Sequence, residues 1–185
     1  MAIDPLASLR PVAVIVPIGG RDFTLAAKPA QDWLEVLLDD EPKLHHVIPG
    51  WCEPGCEQWI YRSLLLRTFS VKEWGEAVVQ AIGVASGRSW WQALNLINGM
   101  KDPSNWHQIF GHLTLRGLDV QRVSLGAWLD ATYALCVEGM DPDEKIKFNL
   151  ALDTPPVGAN PEDVIDPAEQ ERAFMSLMAE VTGGR

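Results

Sequence analysis

The amino-acid sequence predicts a mainly α-helical protein that opens with a small N-terminal β-hairpin, a compact helical domain followed by an acidic C-terminal arm ending in a short amphipathic helix. Three observations carry this reading. Runs of β-rich residues stand clear only around "PIGGR", residues 17–21; between residues 29 and 151 apolar side chains recur at steps of three and four; after 152 a proline-rich acidic stretch without period precedes one last apolar stripe.

Each element has its own reason. "VAVIV" (12–16) and "DFTLA" (22–26) flank Gly19 and Gly20, which take positive φ without a Cβ penalty, so residues 1–28 read as a hairpin region packed on the domain. Pro29 suits a first helical turn, and Trp33, Leu34, Leu37 and Leu38 follow at helical spacing. A loop is expected across Pro49, Gly50, Pro54 and Gly55, then a helix with Trp59, Ile60 and Leu64 inward. Ser70 and Glu73 have capping-box spacing ahead of Val71, Trp74, Val78, Ile82 and Ala85. "GRSWWQALNLI" (87–97) starts another helix, and Trp106, Ile109 and Phe110 mark a short one beyond "KDPS". Ser124 caps a helix whose stripe is Leu125, Trp128, Leu129, Thr132 and Cys136, and "DPDEKIKFNL" (141–150) gives one more brief helical turn. The Trp-rich helical domain thus spans 29–151, an acidic Pro-rich linker 152–166, and an amphipathic helix and tail 167–185, with Phe174, Leu177, Met178 and Val181 on one face. A lone helix of that length is marginal in water, so the stripe calls for a surface: its own domain, a second copy or a client.

Charge and composition narrow the function. Fifteen basic against 25 acidic side chains leave −10, which opposes binding to nucleic acid and to anionic membranes and favours polypeptide partners. No run approaches the roughly 20 apolar residues of a membrane span, and the N-terminal apolar run is too short for a signal peptide, so a cytosolic location is expected. Catalysis is not: the glycines of "IGG" and "VTGGR" lack the strand, spacing and lysine of a phosphate loop, and no nucleophile elbow or HExxH occurs. His107 and His112 read as structural. A metal could draw only on His45, His46, Cys52 and Cys56, whose cysteine spacing is loose and which no second ligand pair follows, so neither metal nor cofactor is expected.

What stands out is tryptophan, eight residues between 33 and 128, each an apolar body with one polar tip suited to a core or an interface. Neighbouring helix positions diverge by about 100°, so Trp90 and Trp91 cannot share one wall. Trp90 falls on a stripe with Ala93, Leu94 and Ile97, which places it in the core. Trp91 falls toward Asn95 and Asn98, where it either packs under a neighbouring helix or lines a partner groove.

The ordered set "VPIGGRDFTLAAKPAQDWLEVLL", "IPG", "ASGRSWWQALNLI" and "GHLTLRGLDV…SLGAWLDATYAL" resembles the tail assembly chaperones of long-tailed siphophages infecting actinobacteria, over about residues 14–150. "GRxWW" and the "LxLRGLD…LxxWLDA" pair are its most specific parts; the cysteine loop at 52–56 and the chain after 153 depart from it. The resemblance implies a non-catalytic chaperone that binds the tape measure protein and keeps it soluble until the tail tube assembles. It further implies the short product of a programmed frameshift, a longer form that recruits tail tube protein, a place in the cytoplasm of the infected host and absence from the mature virion. The rival expectations are a small structural virion protein of the tail or head-tail connector and, behind it, a host-derived metal-binding regulator.

Overall fold

The computed structural model describes residues 9–39 and 44–155. Within them a two-stranded antiparallel hairpin and eight helices enclose one core, and no helix is long and apolar enough to cross a membrane.

Strand β1 (Val14–Ile18) pairs with β2 (Arg21–Leu25) in the register Val14↔Leu25 to Ile18↔Arg21. Both strands sit tighter on the glycine pair than the composition of "VAVIV" and "DFTLA" indicates. The connection is a two-residue turn with φ of 55° at Gly19 and 75° at Gly20, so pairing begins at Ile18 and Arg21, and Val12 falls outside the strand. Val14, Val16 and Ile18 are buried while Ile15 and Pro17 face out, the period-two pattern of a ribbon with one covered face. At the hairpin tip a Cβ on Gly19 would stand 2.9 Å from Phe69 Cδ1 and 3.2 Å from Trp59 Cη2, so glycine is needed there for space as well as for φ.

Helix α1 (Ala30–Leu37) has Pro29 at its N-cap and buries Trp33, Leu34 and Leu37. Two of its otherwise orphaned N–H groups, on Ala30 and Gln31, donate to the carbonyls of Val123 (2.8 Å) and Val120 (3.1 Å). Helix α2 (Leu44–Trp51) occupies part of the expected loop. Pro49 lies inside it; in so short a helix the proline removes a single backbone hydrogen bond, while the i, i+4 pair Leu44 and Ile48 goes into the core. Cys52 then bridges Leu25, joining this segment to the hairpin.

Helix α3 (Cys56–Leu65) starts at Gly55 with φ 88° and buries Ile60 and Leu64. Helix α4 (Val71–Ser86) carries the full Ser70/Glu73 capping box, buries Trp74, Val78 and Ile82, packs on β1 and stops at Gly87 with φ 66°. Helices α5 (Trp90–Gly99), α6 (Pro103–Leu115) and α7 (Leu125–Val137) follow. Trp128, Leu129 and Thr132 of α7 are fully enclosed.

Helix α8 (Pro142–Asp153) corrects two expectations. It is 12 residues long rather than a brief turn, built on an Asp141/Glu144 capping box with Pro142 in its first turn. It also takes in Leu152 and Asp153, assigned above to the linker, because Leu152 is buried against the domain. Its periodicity was illegible because apolar residues lie on both faces: Phe148 and Leu152 inward, Ile146 (65% exposed) and Leu150 (68%) outward. The C-terminal stripe Phe174, Leu177, Met178 and Val181, with the linker from 156, lies outside the described residues.

Candidate functional site: the clefts beside α6

The "GRSWW" and "SLGAWLDA" motifs meet in space, and their meeting is structural. The Arg88 guanidinium donates to Asp130 Oδ1 at 2.6 Å and lies 5.3 Å over the Tyr133 ring, tying the start of α5 to α7. Gly126 lets α7 approach the end of α4 so closely that a Cβ there would be 2.9 Å from the Ser86 carbonyl oxygen. Ser86 in turn accepts from the Arg88 N–H and donates to the Gly83 carbonyl, shaping the α4–α5 corner.

That corner positions the tryptophan pair. Trp90 is only half-buried, a correction to its placement in the core: as the first residue of α5 it packs on the outside of the core cluster. Trp91 is half-buried too, meeting Trp90 edge-on at a centroid distance of 5.9 Å. Its indole Nε1 is buried without a hydrogen-bond partner, which puts the polar edge of the ring inside the domain. Trp91 does not line the clefts described next.

The largest of these is a cleft of about 570 Å³ between α5, α6, α7 and α8. Leu96 comes from α5 and Met100 from its C-cap, Ile109 from α6, Cys136 from α7, and Phe148 and Leu152 from α8, with Asn95 and Asn105 as polar groups among them. Met100 is held beneath by Thr132, whose hydroxyl also donates to the Trp128 carbonyl at 2.9 Å. Polar latches fix the far wall. Gln92 donates to Asp153 at 2.6 Å, Asn95 to the Leu152 carbonyl at 3.5 Å, and the Tyr133 hydroxyl to Asn149 at 2.8 Å. On its other side α6 is bordered by two smaller clefts of about 310 and 330 Å³ that share Leu38 and Trp106.

Helix α6 therefore stands between openings. Leu113 is its one fully buried side chain, while Trp106, Ile109 and Phe110 are half-buried; the ring of Phe110 reaches Trp128 at 5.8 Å. His107 is occupied locally, its Nδ1 bonded to the Pro103 carbonyl, and His112 sits exposed in the last turn. The arrangement offers apolar shape with a few amide groups, which suits an amphipathic helix laid into a groove. Sequence reasoning missed it because the lining is spread over four helices. The one local hint was the run of apolar residues on both faces of 142–153.

Of the metal candidates, His45 and His46 belong to α2 and their side chains lie outside the described part. Cys52 is half-buried, and its thiol donates to the Ile48 carbonyl at 3.4 Å. Cys56 is buried at the start of α3, hydrogen-bonded to Cys52. Burial pushes both thiols up, away from the thiolate a metal needs. Among the described residues no group of three or more His, Cys, Asp or Glu side chains converges on a point that could hold a metal ion. No known protein family, curated protein or solved structure matches this chain.

Proposed function

We propose that this chain is a non-catalytic assembly chaperone of a long-tailed phage, holding the apolar helical stretches of the tape measure protein in the cleft between α5, α6, α7 and α8. The observation that carries the reading is the cleft itself: about 570 Å³, lined chiefly by aliphatic, methionine and aromatic side chains, and continued around Trp106 by two smaller openings. A space of that size and character fits the i, i+3, i+4 face of an amphipathic helix. The resemblance in the "GRxWW" and "LxxWLDA" motifs supports the same assignment, and −10 of net charge would keep a coated client dispersed by like-charge repulsion. On this reading the chain acts in the host cytoplasm, self-associates or meets tail tube protein through a frameshifted longer form, and is left behind when the virion matures.

The test is solubility. A tape measure protein produced alone exposes long apolar faces and aggregates; co-production with this chain moves it to the soluble fraction. Because the contact is apolar, the complex survives 1 M salt, where charges are screened within about 3 Å, and is lost when Ile109 is replaced by glutamate. Failure of both the short product and its longer form to rescue the client overturns the assignment. A salt-labile complex overturns only the apolar-groove mechanism, and recovery of the chain from purified virions favours the structural-component alternative.

A further inference from the structure

We infer that the turn Cys52–Glu53–Pro54–Gly55–Cys56 is a dithiol redox site: a small disulfide closes Cys52 and Cys56 into an intramolecular disulfide within the folded chain, and a small thiol reopens it.

The backbone supplies the geometry. The Cys56 N–H donates to the Glu53 carbonyl at 3.0 Å across Pro54 and Gly55, and Gly55 stands at φ 88°, ψ −12°. With proline before the glycine, those angles make a type II turn: the ring fixes φ at its second residue and glycine suits the positive φ at its third. The turn folds the chain back between α2 and α3 and sets the Cys56 thiol against that of Cys52, which also donates to the Ile48 carbonyl at 3.4 Å. Both ends are anchored, since Cys52 bridges Leu25 of β2 and Cys56 is buried as the first residue of α3. Thiols held side by side by a stiff turn close on each other with little further loss of freedom.

Access orders the steps. Glu53, Pro54 and Gly55 are exposed, Cys52 is half-buried and Cys56 is buried, so an incoming disulfide meets Cys52 first. The Cys52 sulfur, giving its proton to solvent, attacks one sulfur of the small disulfide; a mixed disulfide forms and one small thiolate leaves, taking up a proton. Cys56 then loses its proton and attacks the Cys52 sulfur. The Cys52–Cys56 bond forms, the mixed disulfide breaks and the second small thiolate leaves and is protonated. Two protein thiols are thereby oxidised and one small disulfide is reduced to two thiols. Burial raises both protein thiols, so the exchange is slow near neutrality and quickens as pH rises. The closed bond staples the end of α2 to the start of α3 beside the hairpin. Cys136, on α7, is the third cysteine of the chain; with Cys52 and Cys56 engaged with each other, it can go no further than a mixed disulfide and serves as internal standard.

The full chain is equilibrated at mildly alkaline pH with hydroxyethyl disulfide and 2-mercaptoethanol, quenched in acid and read by peptide mass spectrometry. The peptide holding Cys52 and Cys56 should be lighter by two hydrogens and free of adduct, while Cys136 carries the mercaptoethanol adduct. Raising the thiol tenfold at fixed disulfide should lower the closed-to-open ratio of the pair about a hundredfold, because closure releases two small thiols, and the Cys136 ratio only about tenfold. In concentrated urea, where the turn no longer holds the thiols together, the closed-to-open ratio should fall by at least about tenfold. In Cys56→Ala the adduct should remain on Cys52.

An unreacted pair, an adduct that persists on Cys52 in the wild type, or a disulfide joining two chains overturns the inference. So does an equal closed-to-open ratio in native and urea-denatured protein, which would leave the folded turn no part in closure. The assay contains no client, so its outcome is separate from that of the chaperone reading.

Discussion

Replacing Gly126 by alanine sets local propensity against tertiary packing, and the structure decides the sign. Gly126 is the second residue of α7, where exchange for alanine would by itself stabilise the helix by something under about 1 kcal/mol. The new methyl carbon, however, would stand 2.9 Å from the Ser86 carbonyl oxygen and 3.3 Å from its carbonyl carbon. Both are backbone atoms at the end of α4, so no side chain can swing aside. Relief requires α4 and α7 to part by about half an ångström over a core containing Trp74 and Trp128, an overpacking cost of about 1–3 kcal/mol. The net expectation is a loss of roughly 1–2 kcal/mol, or about 2–8 °C in Tm for a protein of this size. Gly75 is the control: it lies inside α4 with open space where its Cβ would go, so Gly75→Ala should gain about 0.5–1 kcal/mol. Urea denaturation of both variants, read by tryptophan fluorescence and by circular dichroism, gives the two values. A Gly126→Ala protein as stable as the wild type would show that α4 and α7 are not held at this distance, and the account of the "SLGAW" motif as a packing device would fall with it.

Two further predictions concern the tryptophan pair and acid. Trp90→Ala should cost about 2–3 kcal/mol, less than for a fully enclosed ring, since Trp90 packs on the core while half-exposed. Trp91→Phe should be neutral or slightly stabilising, because it keeps a ring against Trp90 and removes a buried N–H that lacks a partner; equal large losses in chemical denaturation would place both rings in the core. Acid should unfold the helix starts first. The backbone N–H and hydroxyl of Ser70 hold the Glu73 carboxyl below its ordinary range, and Ser104 does the same for Asp102. A carboxyl depressed in the folded state contributes stability above its unfolded value and loses it as pH falls through the folded one, so stability should be level from neutrality to about pH 5 and decline below about pH 4. In Glu73→Gln that acid decline should be shallower; an unchanged profile in acid titrations of stability would remove Glu73 from the account.

Much of this protein is decided locally. Gly19 and Gly20 set the hairpin, Ser70 with Glu73 and Ser124 set two helix starts, and the steps of three and four in 71–85 and 125–132 select the faces that go inward, because turns, caps and periodicity act within a few residues. The identity of the core follows from the same pattern: Trp33, Trp74 and Trp128 are enclosed where their stripes put them. What depended on residues distant in sequence could not be read this way. Helix α2 forms across Pro49 because Leu44 and Ile48 find the core and the Trp51 carbonyl accepts from Ala26 at 2.8 Å. Helix α8 shows no single apolar face, yet it is latched by Gln92, Asn95 and Tyr133 from α5 and α7. The cleft arises only when four helices meet, since no one of them carries more than a few of its lining residues. Trp90 and Trp91 mark the division: helix geometry alone separates their directions, but how much of each ring is covered depends on which helices arrive beside them, and that is a property of the assembled fold.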